Sequence, residues 1–146
     1  GAVAGFPMEK IFVAITDGKE HPVDSKPIAF EIAAREAFKL AVANASPVLL
    51  EPIMLIDITV PESNMGDVMS DLNSRRARVQ GMDSISGKSV VTAEVPLAEV
   101  QRYVTDLRSI TQGRGVFSLK YLRHEQVPSH LSQTVIDKAK SDSKDV

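Results

Sequence analysis

The chain has 146 residues, of which 43% are hydrophobic and 25% are charged, and its formal net charge is -2. This length allows one ordinary domain, or one small domain with part of another, and excludes a large multidomain enzyme. The charge argues against a wholesale polyanion binder, and no apolar run approaches the roughly 18 residues that span a bilayer, so no membrane partner is expected.

The N-terminal third predicts one strand and one helix. Apolar and polar residues alternate over 10–16, which is typical of a strand. Alanine-rich helical spacing over 28–44 predicts a helix that Asp24 or Ser25 can cap. Two prolines then interrupt the pattern, and residues 47–52 are interpreted as an extended linker between two domains, 1–46 and 53–124.

Residues 53–124 predict a complete β-α-β-β-α-β unit. Period-two alternation predicts four strands and helical spacing predicts two helices, at 53–60, 63–72, 78–84, 88–95, 97–110 and 116–123 in chain order. This order is typical of an α+β, ferredoxin-like domain, a four-stranded antiparallel sheet with two helices on one face. A terminal helix from Pro128 and a charged tail complete the segment 125–146.

No arrangement of residues indicates catalysis, a metal or a bound cofactor in this chain. Gly87-Lys88-Ser89 resembles the end of a phosphate-binding loop, but Met82 stands where that loop needs glycine and the segment joins two strands. The histidines lack metal-ligand spacing. The third strand, 88–95, has no aromatic side chain on which RNA bases could stack.

Two short basic segments remain as candidate binding sites. The first is N-S-R-R-A-R, which ends the first helix of the ferredoxin-like unit and includes Arg75 and Arg76. Its guanidinium groups form a phosphate-sized patch. The alternative is that they neutralise the negative end of the helix dipole.

The second basic segment is the end of the second helix. Residues 102–120 carry a net charge of +3, and Arg108, Ser109 and Gln112 lie near one another on the helix surface. Such side chains can reach phosphate, ribose and base edges, and Arg114 lies between two glycines that allow close backbone approach. The alternative is an ordinary solvated helix end.

Several long motifs resemble the C-terminal part of elongation factor G, a translational GTPase. They are L-L-E-P-I-M, I-T-V-P-E-S-N-M-G-D-V-M-S-D-L-N-S-R-R-A-R-V-Q-G-M, V-P-L-A-E-V and Y-V-T-D-L-R-S-I-T-Q-G-R-G. The resemblance implies that residues 1–46 are the last part of domain IV, a partial split β-α-β segment, and that 53–124 are domain V. It also implies a fragment whose N-terminal domains lie outside this chain.

The resemblance implies a cytoplasmic module that is not itself an enzyme and that binds the ribosome during tRNA and mRNA translocation. GTP and Mg²⁺ would be bound by the full-length parent. The partners would be large-subunit rRNA, including the sarcin–ricin loop, and the stalk-base protein. The implied rRNA contacts are Arg75, Arg76, Arg108, Ser109, Gln112 and Arg114.

The sequence also departs from the family pattern. V-Q-R-Y and Y-L-R-H-E replace the usual M-F-G-Y and F-D-H-Y-E, which adds Arg102 and Arg123. These changes suggest a divergent paralogue, with ribosome recycling as an alternative to translocation. Two further alternatives are a stand-alone ferredoxin-like regulatory or ligand-binding module and another factor-site GTPase, such as a tetracycline-protection protein.

Overall fold

A computed structural model describes residues 1 and 3–142 and divides the chain into two compact units. One unit is Leu50–Gln126, and the other combines Gly1–Leu49 with the chain from Val127 onward. The elements in chain order are α1 (Pro27–Asn44), β1 (Leu50–Pro61), a 3₁₀ turn (Glu62–Asn64), α2 (Met65–Ser74), β2 (Arg78–Ile85), β3 (Lys88–Pro96), α3 (Leu97–Val100), α4 (Tyr103–Thr111), β4 (Val116–Gln126) and α5 (Ser129–Asp142).

The unit that holds both chain ends contains helices α1 and α5, as the sequence predicts. Proline occupies the first position of α1, where its missing N–H costs no hydrogen bond. The predicted strand at 10–16 does not form. A strand needs a pairing partner, and no segment among residues 1 and 3–49 pairs with it. The predicted tail at 143–146 lies outside the described residues.

The central unit is a four-stranded antiparallel sheet with strand order β2-β3-β1-β4, which confirms the ferredoxin-like prediction. Strands β2 and β3 form the predicted hairpin. Ser86 and Gly87, which connect them, have φ angles of 51° and 76°. Two successive positive φ values are typical of a type I′ turn, so Gly87-Lys88-Ser89 serves a hairpin instead of opening a helix.

Helices α2 and α4 cover one face of this sheet. The inward side chains of β1 and β3 alternate with outward ones, so that each strand contributes every second residue to the core. The buried cluster contains Ile56, Ile58, Val60, Val68, Leu72, Val91, Ala93, Val95, Val100, Tyr103 and Leu107.

Strand β1 is longer than the alternation predicts. It begins at Leu50, so residues 50–52 of the predicted linker pair with β4. Pro52 lies opposite His124 of β4, whereas the pairing of β1 with β3 begins only at Ile53. One side of β1 is therefore an open edge at Pro52, where a missing backbone N–H removes no ladder bond.

The single helix predicted over 97–110 is wrong, because the structure divides it into α3 and α4. Arg102 separates them with φ -113° and ψ 17°, outside the helical region. The new helix buries Tyr103, Leu107 and Thr111, which recur at every fourth position. Val104 was predicted to face inward and is exposed, because it lies beside this buried stripe.

Candidate nucleic-acid interface

The C-terminal end of α4 displays the residues of the second basic segment. Arg108, Ser109 and Gln112 are exposed, as the helical spacing predicts, while Leu107 and Thr111 are buried on the opposite side. Arg114 follows in the connection to β4 and is also exposed. The structure thus brings together a guanidinium, a hydroxyl and a carboxamide on one helix end, with a second guanidinium close in sequence.

The backbone reverses at the end of α4 through two left-handed residues. Gln112 has φ 53° and Gly113 has φ 82°, so the left-handed conformation predicted for Gly113 begins one residue earlier. The N–H of Gly113 donates to the carbonyl of Arg108 at 2.9 Å, which caps the helix. A left-handed glutamine costs conformational free energy that glycine would not, so the carboxamide is displayed at some expense in stability.

Arg114 lies against the same helix end. Its Nε donates to the carbonyl of Thr111 at 3.3 Å, and its Nη2 donates to Oδ1 of Asn64 at 3.4 Å. The amide of Asn64 also donates to the carbonyl of Ile110 at 3.2 Å. The cation is therefore held at the negative end of the α4 dipole without an acidic partner. Sequence reasoning missed Asn64, because its contacts join residues 46 and 50 positions apart.

The prediction that Arg75 is available to bind rRNA does not agree with its surroundings. Its Nε and Nη2 bind Asp71, 2.8 Å and 3.0 Å away, and Nη2 also lies 2.8 Å from Asp106. Its Nη1 donates to the carbonyl of Glu99 at 2.7 Å. Only 16% of the side chain is exposed. These bonds, those to Asp71 foremost, hold the pKa of Arg75 above its usual value and engage its donors inside the fold.

Arg76 is engaged in the same way. Nη1 and Nη2 form a bidentate pair with Glu51 at 2.7 Å and 2.9 Å, and Nε binds Glu99 at 3.1 Å. The Glu51 contacts are the main reason that the pKa of Arg76 is raised. The R-R pair therefore ties the end of α2 to β1 and α3, and we remove both arginines from the candidate RNA surface.

Arg123, one of the residues that departs from the family pattern, is also paired. It binds Glu94 and Glu125 with nitrogen–oxygen distances of 2.6 Å, and Arg78 binds Glu125 at 2.8 Å. Hydrogen bonds from Arg123 lower the pKa of Glu94, and those from Arg78 lead the lowering of the pKa of Glu125. This added arginine therefore contributes to an ion-pair network on the sheet.

Tyr103 is buried next to the Arg75 cluster. Its hydroxyl makes no hydrogen bond with any described residue, and the Arg75 guanidinium carbon lies 5.0 Å from its ring centroid. Burial, followed by the charge of Asp71, raises the pKa of Tyr103 to about 12. The phenol is therefore neutral in the folded protein well above the pKa of an exposed tyrosine, roughly 10.

We expect Tyr103→Phe to leave the free energy of unfolding unchanged or to raise it by about 1 kcal/mol at neutral pH, because it removes an unsatisfied buried hydroxyl. In the unchanged protein the unfolded chain loses the Tyr103 proton first. The stability that this phenol contributes is thus present below pH ~10 and is lost as the pH rises towards that of the folded group. Urea unfolding followed by circular dichroism at several alkaline pH values should show this loss only when Tyr103 is present.

Tyr121→Phe is the matched control for this prediction, because the Tyr121 hydroxyl is exposed and bonds Nδ1 of His124 at 2.7 Å. An alkaline loss of stability that is the same with and without the Tyr103 hydroxyl would contradict the assignment.

No set of three or more His, Asp or Glu side chains within residues 1 and 3–142 is arranged to hold a metal ion. In the same part of the chain, no helix combines the length and apolar character that crossing a bilayer requires. What the exposed end of α4 offers is hydrogen-bond donors and positive charge. These groups are suited to recognition of an anionic polymer.

Comparison with known proteins agrees with this architecture. The family model described as elongation factor G, domain IV, matches residues 1–46, and the model described as elongation factor G C-terminus matches residues 48–135. A crystal structure of a Thermus thermophilus protein is 45% identical, has a TM-score of 0.72 and matches 86% of this chain. This chain spans 19% of the length of that protein.

The fold and these matches define a C-terminal module of a translation factor. The chain belongs to the elongation factor G family.

Proposed function

We propose that this chain is the ribosome-binding C-terminal module of an elongation factor G-like translational GTPase that promotes translocation or ribosome recycling. In this proposal the central unit contacts large-subunit rRNA at the factor-binding site, near the sarcin–ricin loop and the stalk-base protein. The GTPase activity, with its GTP and Mg²⁺, belongs to the cytoplasmic full-length parent. This module anchors the factor and passes domain motion on to domain IV.

The observation that carries the proposal is the uneven distribution of ion pairs among the arginines of the central unit, all of whose residues are described. Four of its seven arginines are in ion pairs: Arg75, Arg76, Arg78 and Arg123. The remaining three lie in one segment of 13 residues: Arg102, Arg108 and Arg114. The positive charge that this unit leaves without an acidic partner is thus concentrated around α4.

Asp106 strengthens this concentration. It is the only acidic residue of the segment 102–120, and Arg75 binds its carboxylate from α2. Arg108, two residues further along α4, makes no ion pair or hydrogen bond with its side chain among the described residues. An anionic ligand at this helix end therefore finds guanidinium donors that are not already neutralised.

The test is binding of the 146-residue chain to a fluorescently labelled RNA hairpin with the sarcin–ricin sequence, followed by anisotropy at several salt concentrations. We expect Arg108→Ala and Arg114→Ala each to weaken binding about 3- to 10-fold, and each to reduce the slope of log K against log salt by about 1. Affinity is expected to be modest, because a full-length factor would bind through several domains at once.

Arg123→Ala is the matched control, since it removes the same charge from the same unit at a side chain that is already paired. Its effect on binding should be much smaller. Equal effects of all three substitutions would indicate nonspecific charge attraction, and unchanged binding by Arg108→Ala would contradict the proposed interface.

A further inference from the structure

Beneath the exposed end of α4 lies Thr111, whose side chain is completely buried. Its Oγ1 donates to the carbonyl of Leu107 at 2.7 Å and accepts the backbone N–H of Gly115 at 2.8 Å. The first bond is the common local bond of a helical threonine. The second is not part of the helix, because it reaches across the chain reversal to the residue that precedes β4.

This hydroxyl closes a short loop. The three residues between Thr111 and Gly115 include Gln112 and Arg114, two of the four candidate RNA contacts. The N–H of Arg114 also donates to the carbonyl of Thr111 at 3.1 Å. The loop is thus fastened to the buried side of α4 at both ends, while its polar side chains remain exposed.

The contact is also sterically close. A Cβ placed on Gly115 would lie 2.9 Å from Oγ1 and 3.0 Å from Cγ2 of Thr111. The backbone of the loop therefore lies directly on the Thr111 side chain, and the size and hydrogen bonding of that side chain define where the loop runs.

We propose that Thr111 is a positioning residue for the RNA interface: without touching RNA, its buried hydroxyl fixes the 112–115 loop so that Gln112 and Arg114 present their side chains beside Arg108. This inference rests on the proposed function and adds the residue that organises its surface. Asn64 supports the same loop from outside α4, through its contact with Arg114. In the competing interpretation, the Thr111 hydroxyl stabilises the fold without affecting recognition.

The experiment compares Thr111→Val, which keeps the branched shape and removes the hydroxyl, with Thr111→Ser, which keeps the hydroxyl. Amide exchange at Gly115, measured by NMR, reports whether the loop is released, and urea unfolding defines conditions in which each variant is folded. In those conditions we expect Thr111→Val to expose the Gly115 amide to exchange and to weaken binding of the sarcin–ricin hairpin about 3- to 10-fold. Thr111→Ser should behave almost as the unchanged protein in both measurements.

A double-mutant cycle separates positioning from general stability. If Thr111 acts through Arg114, then Arg114→Ala will weaken binding less in the Thr111→Val background than in the unchanged protein. A stabilising residue with no role in recognition would leave the two substitutions additive. Additive effects, or unchanged affinity in Thr111→Val despite faster exchange at Gly115, would overturn the inference.

The Arg108→Ala measurement distinguishes the two levels of failure. If Arg108→Ala weakens binding and Thr111→Val does not, the interface stands and the positioning role fails. If neither substitution alters binding, the proposed interface fails and the positioning role fails with it. Faster exchange at Gly115 in Thr111→Val would then report only a local structural effect.

Discussion

Replacing Arg75 with alanine is expected to lower the free energy of unfolding by about 2–4 kcal/mol, because it leaves a partly buried pair of aspartates without their cation. Asp71 and Asp106 bind the same guanidinium from α2 and α4, and the carbonyl of Glu99 accepts a third contact. The estimate is below the value for fully buried pairs, because the side chain of Asp106 is 44% exposed. The substitution also removes the cation that lies over the Tyr103 ring.

Urea unfolding measures this loss, with two controls that separate its causes. Arg75→Met keeps much of the apolar stem and removes the charge, so its difference from Arg75→Ala reports packing on the ring. Arg102→Ala removes an exposed arginine that is not in an ion pair, and should change stability by no more than about 0.5 kcal/mol. A loss in Arg75→Ala no larger than that in Arg102→Ala would contradict a structural role for the cluster.

The same variant decides between the two interpretations of the R-R motif. If Arg75 holds α2 against α4, Arg75→Ala will lose stability and keep its affinity for RNA in conditions where it is folded. If Arg75 contacts rRNA directly, its affinity will fall with a reduced salt slope, as expected for Arg108→Ala. The ion-pair geometry favours the first result.

The sheet could be predicted from the sequence because its signals are local. Ile56, Ile58 and Val60 alternate on β1, and Val91, Ala93 and Val95 do so on β3, and all six are buried. Alternation of this kind fixes which face of a strand is inward without reference to the rest of the chain. The exposure of Arg108 was predictable for the same reason, since helical spacing places it opposite the buried stripe.

The partners of the arginines could not be predicted, because they depend on how distant elements pack. Arg75 meets Asp106 across 31 positions of sequence, and Arg76 meets Glu51 across 25. Spacing within α2 suggests only Asp71, one helical turn before Arg75. A run of guanidinium groups therefore looks the same in sequence whether it faces a nucleic acid or an acidic cluster of its own fold.

Gly115→Ala is expected to lower the free energy of unfolding by about 1–3 kcal/mol, because the added methyl group would overlap buried atoms. The new carbon would lie 2.9 Å from Oγ1 of Thr111 and 3.0 Å from Cγ of Leu107. Both side chains are buried in α4, so the clash can be relieved only by moving the helix or the start of β4. The shift would also stretch the bond between the Gly115 N–H and Thr111, which urea unfolding and amide exchange together would detect.

Two other glycines provide controls in which the space is open. No atom lies within 4 Å of a Cβ built on Gly66 or Gly113. Gly66→Ala, in α2, is expected to be neutral or to stabilise by up to about 1 kcal/mol, since glycine is the poorer helix former. Gly113→Ala should cost about 1 kcal/mol from its left-handed backbone alone. A Gly115→Ala variant as stable as Gly66→Ala would mean that α4 and the start of β4 can separate freely, and that close contact at Thr111 does not hold the loop in place.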